Sequence, residues 1–178
     1  SKEEIALEII KDGQRELLDV IRQGYRERSG TVEDMVDSSL KLIKSLLQFS
    51  CNNRDFMILL LLKGQGADEP IRKEISETFI AIEEAFAKNI NRAIELKMLE
   101  DRRDVSFQAQ ILTNHVTGML SRWLFGPYHD INYEPEKPLE DVAKEIVHFE
   151  FFGLLGRKEV VDENSGTFGQ GRDVDPKQ

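Results

Sequence analysis

The residues most able to do chemistry are Glu145 and His148, in the run Glu145-Ile-Val-His148. Glu-x-x-His sets a carboxylate and an imidazole one turn apart on a helix, a spacing that di-iron helical bundles use twice. It occurs here once, and the remaining histidines are His115 and His129. No metal site is therefore expected, and Glu145 and His148 read as surface or dimer-edge residues. Cys51 is the chain's one cysteine, which excludes an intramolecular disulfide and a cysteine-based zinc cluster. Lying in an apolar stretch, it is expected in the core. With no nucleophile elbow, phosphate-binding glycine loop or HExxH pair, neither catalysis nor a cofactor is expected.

Charge narrows the partners. Asp and Glu number 33 against 24 Lys and Arg, giving a formal charge of −9. Such a surface repels a phosphate backbone, so the chain by itself is not expected to bind DNA. The longest apolar run, Phe56 to Leu62, is far short of the ~18 residues a membrane span needs. Ser1-Lys-Glu-Glu4 opens an amphipathic helix, not a secretory leader. No membrane partner is expected, and the reading is a soluble, cytoplasmic protein of one main domain, with 178 residues enough for one core.

The elements that would position any site are helical. Ser1-Lys-Glu-Glu4 has the capping-box pattern and starts a helix carrying Ile5, Ile9, Ile10, Leu17, Leu18, Ile21 and Tyr25, with its stop expected at Ser29-Gly30. Thr31-Val-Glu-Asp34 starts a second, with Val32, Met35, Val36, Ile43, Leu46, Leu47 and Ser50 on one face, fading near Cys51-Asn52-Asn53. Phe56 to Leu62 has the length of a buried strand, but leucine and methionine favour helix and no stretch alternates with period two to pair with it. A short buried helix is predicted there. Pro70 opens a long helix striped by Ile71, Ile75, Phe79, Ile82, Phe86, Ile90 and Ala93. After a polar break at Glu100 to Asp104, Asp104 caps a helix bearing Val105, Ala109, Leu112, Val116, Met119, Leu120 and Trp123, ended by Gly126-Pro127. A proline-rich loop through Pro138 leads to a last helix, about Leu139 to Leu155, apolar on more than one face. The expected fold is all-α, a bundle of about six helices over residues 1–157. Residues 158–178 are polar and are expected to form a flexible tail.

Three features carry a resemblance. The opening Ser1-Lys-Glu-Glu4 resembles the sequence that follows the helix-turn-helix in TetR-family transcriptional regulators. Gly118-Met-Leu-Ser-Arg-Trp-Leu124 resembles a Gly-x-x-x-Arg-Trp-Leu stretch of that family's penultimate helix. The element order is similar too: linking helix, paired helices, short apolar helix, long helix, polar break, two final helices. The resemblance covers about residues 1 to 156 and implies the effector-binding and dimerisation domain of a ligand-responsive regulator, usually a homodimeric repressor. The helix-turn-helix itself is absent from the chain. Operator DNA is thus expected to be reached only through such an N-terminal segment, and no DNA-contacting residue is carried over.

The family's last two helices pair with their symmetry mates. On this chain that implies a dimer face of Leu112, Val116, Leu120 and Trp123 with Val147, Phe151, Leu154 and Leu155, the other reading being that these residues fill the monomer core. The family's effectors occupy a cavity inside the bundle. Its implied walls are Phe49, Phe56, Phe79, Ile82, Phe86, Gln108, Ile111, His115 and Met119, which suit an apolar or amphipathic small molecule, although phenylalanines at helical spacing are also ordinary core. A helical protein-interaction adaptor with no DNA role is the alternative function.

Overall fold

The computed structural model describes residues 1–101 and 104–156. Among them the chain forms six α-helices and no strand: α1 (Lys2–Gln23), α2 (Val32–Asn52), α3 (Arg54–Ile58), α4 (Glu69–Glu95), α5 (Val105–Phe125) and α6 (Leu139–Phe152). The expected all-α bundle is thus observed. The expected flexible tail, 158–178, lies outside the described residues.

Local chemistry sets most helix starts. The Ser1 hydroxyl accepts from the Glu4 backbone N–H at 3.2 Å, and the Glu4 carboxylate returns to the Ser1 nitrogen. Thr31 and Asp34 repeat the box at α2, with 3.1 and 2.8 Å bonds. Asp104 accepts from the Phe107 N–H at the start of α5. Pro70 lies in the first turn of α4, where a missing N–H costs nothing.

Two helix ends differ from expectation. α1 stops at Gln23, not at Ser29-Gly30, because the following segment is held by α4. Arg92 donates from Nε to the Arg26 carbonyl and from Nη2 to the Glu27 carbonyl, at 3.0 and 2.9 Å. The Tyr25 ring lies below Lys88 and Arg92. At the other end of the chain, α6 stops at Phe152 because Gly153 turns into the left-handed region at φ 63°, so Leu154 and Leu155 fall beyond the helix.

The short apolar helix also has an unforeseen form. α3 runs directly into a π-helical turn, Leu59–Lys63, and a 3-10 turn, Gly64–Gly66. Gly64 permits this: a Cβ there would lie 2.4 Å from the Leu59 carbonyl oxygen and 2.5 Å from Ile75 Cγ1. The 3-10 turn therefore packs directly against α4.

α4 packs against both α1 and α5, α2 against α1, and α6 mainly against α2, while α5 and α6 meet only over a short stretch. The main core draws on Ile10, Leu17 and Ile21 of α1, Ile43, Leu46 and Leu47 of α2, Ile75, Ile82 and Phe86 of α4, and Val142, Ile146 and Val147 of α6. Gly13 lets Phe56 close onto α1, since a Cβ there would stand 2.3 Å from the ring. A smaller cluster of Met35, Ala93 and Met98 lies beside this core, and Phe151 packs against both.

Candidate functional site

α5 has two apolar sides. Ala109, Thr113, Val116, Leu120 and Trp123 recur at spacings of three and four and are buried, with the Trp123 indole donating to the Lys137 carbonyl at 2.9 Å. The opposite side carries Phe107, Ile111, His115 and Met119 at intervals of four. Phe107, Ile111 and Met119 are 55, 50 and 39% exposed. His115 is half-buried, and its ring stacks on Phe149 of α6 with centroids 5.5 Å apart and planes 22° from parallel. Phe149 is itself 45% exposed. These five side chains make an outward apolar surface across the last two helices. His115 Nε2 is buried there with no hydrogen-bond partner in the protein.

The residues implied for a dimer face are divided between core and surface in the single chain. Val116, Leu120, Trp123 and Val147 are core residues of the single chain, Leu112 is half-buried against that core, and Phe151 bridges the two clusters. Leu154 and Leu155 are exposed beyond α6. The physical reason is that α5 is apolar around most of its circumference, so periodicity could not say which side α4 and the π turn would cover. The side left outward holds Ile111, His115 and Met119, which the sequence reading had placed in the effector cavity.

Four of the other implied cavity walls meet, but as packed core. Phe49, Phe56, Ile82 and Phe86 are packed core, with Phe49 and Phe56 edge to face at 6.0 Å. Gln108 is half-buried at the start of α5. Phe79 lines a groove of about 380 Å³ with Leu61, Gln65, Glu83, Asn114, Thr117, Gly118 and Ser121. Leu61 belongs to the π turn, a geometry that recurs at functional sites. The groove offers two apolar side chains, two amides, two hydroxyls and one carboxylate. Asn114, Thr117, Gly118 and Ser121 were overlooked in the sequence, although small and polar residues at i, i+3, i+4 and i+7 are a legible stripe.

No protein-family model, curated protein or solved structure matches this chain. In the Gly118 to Leu124 segment, Gly118 faces the groove, Arg122 is exposed, and Trp123 and Leu124 are buried.

The remaining reactive groups have ordinary surroundings. Cys51 is exposed on the last turn of α2, not in the core as expected, because the buried side there is taken by Leu46, Leu47, Phe49 and Ser50. Desolvation pushes its thiol pKa up, against a smaller opposing pull from Arg54, which favours the less reactive thiol form. Glu145 and His148 are both exposed, and His148 lies beside Phe152. Among the described residues no three His, Cys, Asp or Glu side chains stand close enough to hold a metal ion, and no helix is long and apolar enough to cross a membrane.

Glu150 is the one strongly perturbed acid. It stands on the last turn of α6 with its side chain partly exposed to solvent, and desolvation pushes its pKa up to about 7. A folded-state pKa raised above the ordinary glutamate value of 4.5 favours the protonated form. The stability this group contributes is therefore present below the unfolded pKa and lost as pH rises through about 7. Glu150→Gln is expected to match the parent in thermal midpoint near pH 4.5 and to exceed it increasingly towards pH 8. A constant offset across that range in paired melting curves would contradict the assignment.

Proposed function

We propose that the chain is the effector-binding and dimerisation part of a ligand-responsive transcriptional regulator of TetR type. The observation that carries this reading is the outward apolar surface of Phe107, Ile111, His115, Met119 and Phe149 on the last two helices. Contiguous exposed aromatic and aliphatic side chains are costly to leave in water and are characteristic of association surfaces. A second copy related by a two-fold axis would cover this surface with itself, α5 and α6 meeting α5 and α6.

The effector in this reading is an apolar or amphipathic small molecule held in the groove between the π turn, α4 and α5. Phe79 and Leu61 contact its apolar body, and Gln65, Asn114, Thr117 and Ser121 take its polar groups. Occupancy of the groove would act on α4, which packs against both α1 and α5. A ligand that prefers one arrangement of these three helices would bias the chain entering α1 and the dimer surface together. DNA would be contacted by a helix-turn-helix outside this sequence.

Native mass spectrometry tests both halves of the proposal. The expected spectrum is a dimer carrying a small-molecule adduct. A monomer with no adduct at micromolar concentration would overturn the reading and favour a helical adaptor, for which the same apolar surface would receive a different protein.

A further inference from the structure

Where α1 ends, a cleft of about 520 Å³ opens between the 24–28 segment and α2. It is lined by three cations, Arg26, Arg28 and Lys41, and by the hydroxyl-bearing side chains Tyr25, Ser38 and Ser45, over a small apolar floor of Val20 and Leu42. Ser38, Lys41 and Ser45 fall at i, i+3 and i+7, hence on one side of α2. The segment opposite is fixed from behind: Arg92 holds the carbonyls of Arg26 and Glu27, and Tyr25 packs under Lys88 and Arg92. Arg26 Nη2 donates to the Ser38 hydroxyl at 3.1 Å, joining the two walls. The backbone of the 24–28 wall is therefore fixed by α4, and the Arg26 side chain by Ser38.

Among the described residues, none of Arg26, Arg28 and Lys41 makes an ion pair, although the chain has nine more acidic than basic residues. Asp34, bonded to the Thr31 backbone at 2.8 Å, also feels the Arg26 charge, and Glu27 is the one carboxylate lining the cleft.

We propose that this cleft binds a small phosphate-bearing molecule through Arg26, Arg28 and Lys41, with the Ser45 hydroxyl as a further donor. Two guanidinium groups and an ammonium supply charge-assisted donors to phosphate oxygens. Size decides against a nucleic-acid backbone. A compact anion responds to charges within a Debye length of about 8 Å, whereas an extended polyanion also meets the repulsion of the acidic surface. The site is separate from the groove beside the π turn and does not depend on the regulatory reading.

The test is calorimetric titration of the whole chain with sodium pyrophosphate in low-chloride buffer. Saturable binding is expected, weakened at least about tenfold in the Arg28→Ala/Lys41→Ala double variant and unchanged in Lys73→Ala, whose ammonium faces Glu77 on α4. Arg28 and Lys41 are exposed, so circular dichroism of the double variant should match the parent. Lys41→Arg, which keeps the charge, should retain binding. Absence of saturable binding up to about 10 mM, equal binding by the double variant, or equal losses in the double variant and Lys73→Ala would each overturn the proposal.

Discussion

Ile111→Glu is expected to convert the proposed dimer into a monomer while leaving the fold intact. Half of Ile111 already faces solvent, so the substitution should change the monomer's stability by no more than about 0.5 kcal/mol. In a two-fold dimer each protomer brings the new carboxylate to the same apolar surface, beside Phe107, His115 and Phe149. Desolvating two unpaired carboxylates there should raise the dimer Kd by at least about 100-fold, or about 2.7 kcal/mol. Val116→Glu gives the opposite pattern. Val116 is 3% exposed inside the single chain, so a charge there should unfold the protein outright. Sedimentation velocity with parallel circular dichroism separates the two. If Ile111→Glu stayed dimeric at the parent's dissociation constant, the interface would have to lie elsewhere.

Arg54→Ala should be the most destabilising change to an exposed-end side chain. Arg54 Nη2 lies 3.3, 2.9 and 2.9 Å from the carbonyls of Leu124, Ile131 and Tyr133, and its guanidinium lies 5.0 Å over the Phe125 ring. Two protons are thus shared among three acceptors, stapling α3 to the end of α5 and the loop that leads to α6. Charge-assisted hydrogen bonds contribute about 1.5–3 kcal/mol each, and because these share one nitrogen their sum is smaller than three independent bonds. A loss of about 3 kcal/mol is expected, lowering the thermal midpoint by about 6–12 °C for a chain of this length. Arg54→Lys should recover little, since one ammonium cannot span the same carbonyls and cover Phe125. A shift below about 2 °C in Arg54→Ala would mean that the loop holds its place without the staple. Because α6 carries Phe149, such a loss of order should also weaken the proposed dimer.

Neither Arg54 nor Arg92 stood out in the sequence. Each acts on backbone carbonyls, Arg54 about 70 to 79 residues away and Arg92 some 65, and carbonyl positions leave no mark in residue types. The candidate groove was half legible for a similar reason. Phe79 and the small polar stripe of α5 are visible as patterns, whereas Leu61 joins them only because the π turn rotates it there.

Taken alone, the sequence determined the helices and where most of them begin. Ser1, Thr31, Pro70 and Asp104 do this through bonds or geometry confined to a single turn, and Gly126 ends α5 at φ 70° as its position suggests. Tertiary structure decided which apolar side is core and which is surface. Val116 and Ile111 are both aliphatic residues on the same helix, and only the approach of neighbouring elements made one buried and the other exposed. It also decided where α1 stops, since Arg92 reaches across from α4 to hold carbonyls that a longer α1 would have bonded within itself. Capping is a contest among neighbours in the chain, whereas face selection and clamping depend on elements that meet only after collapse.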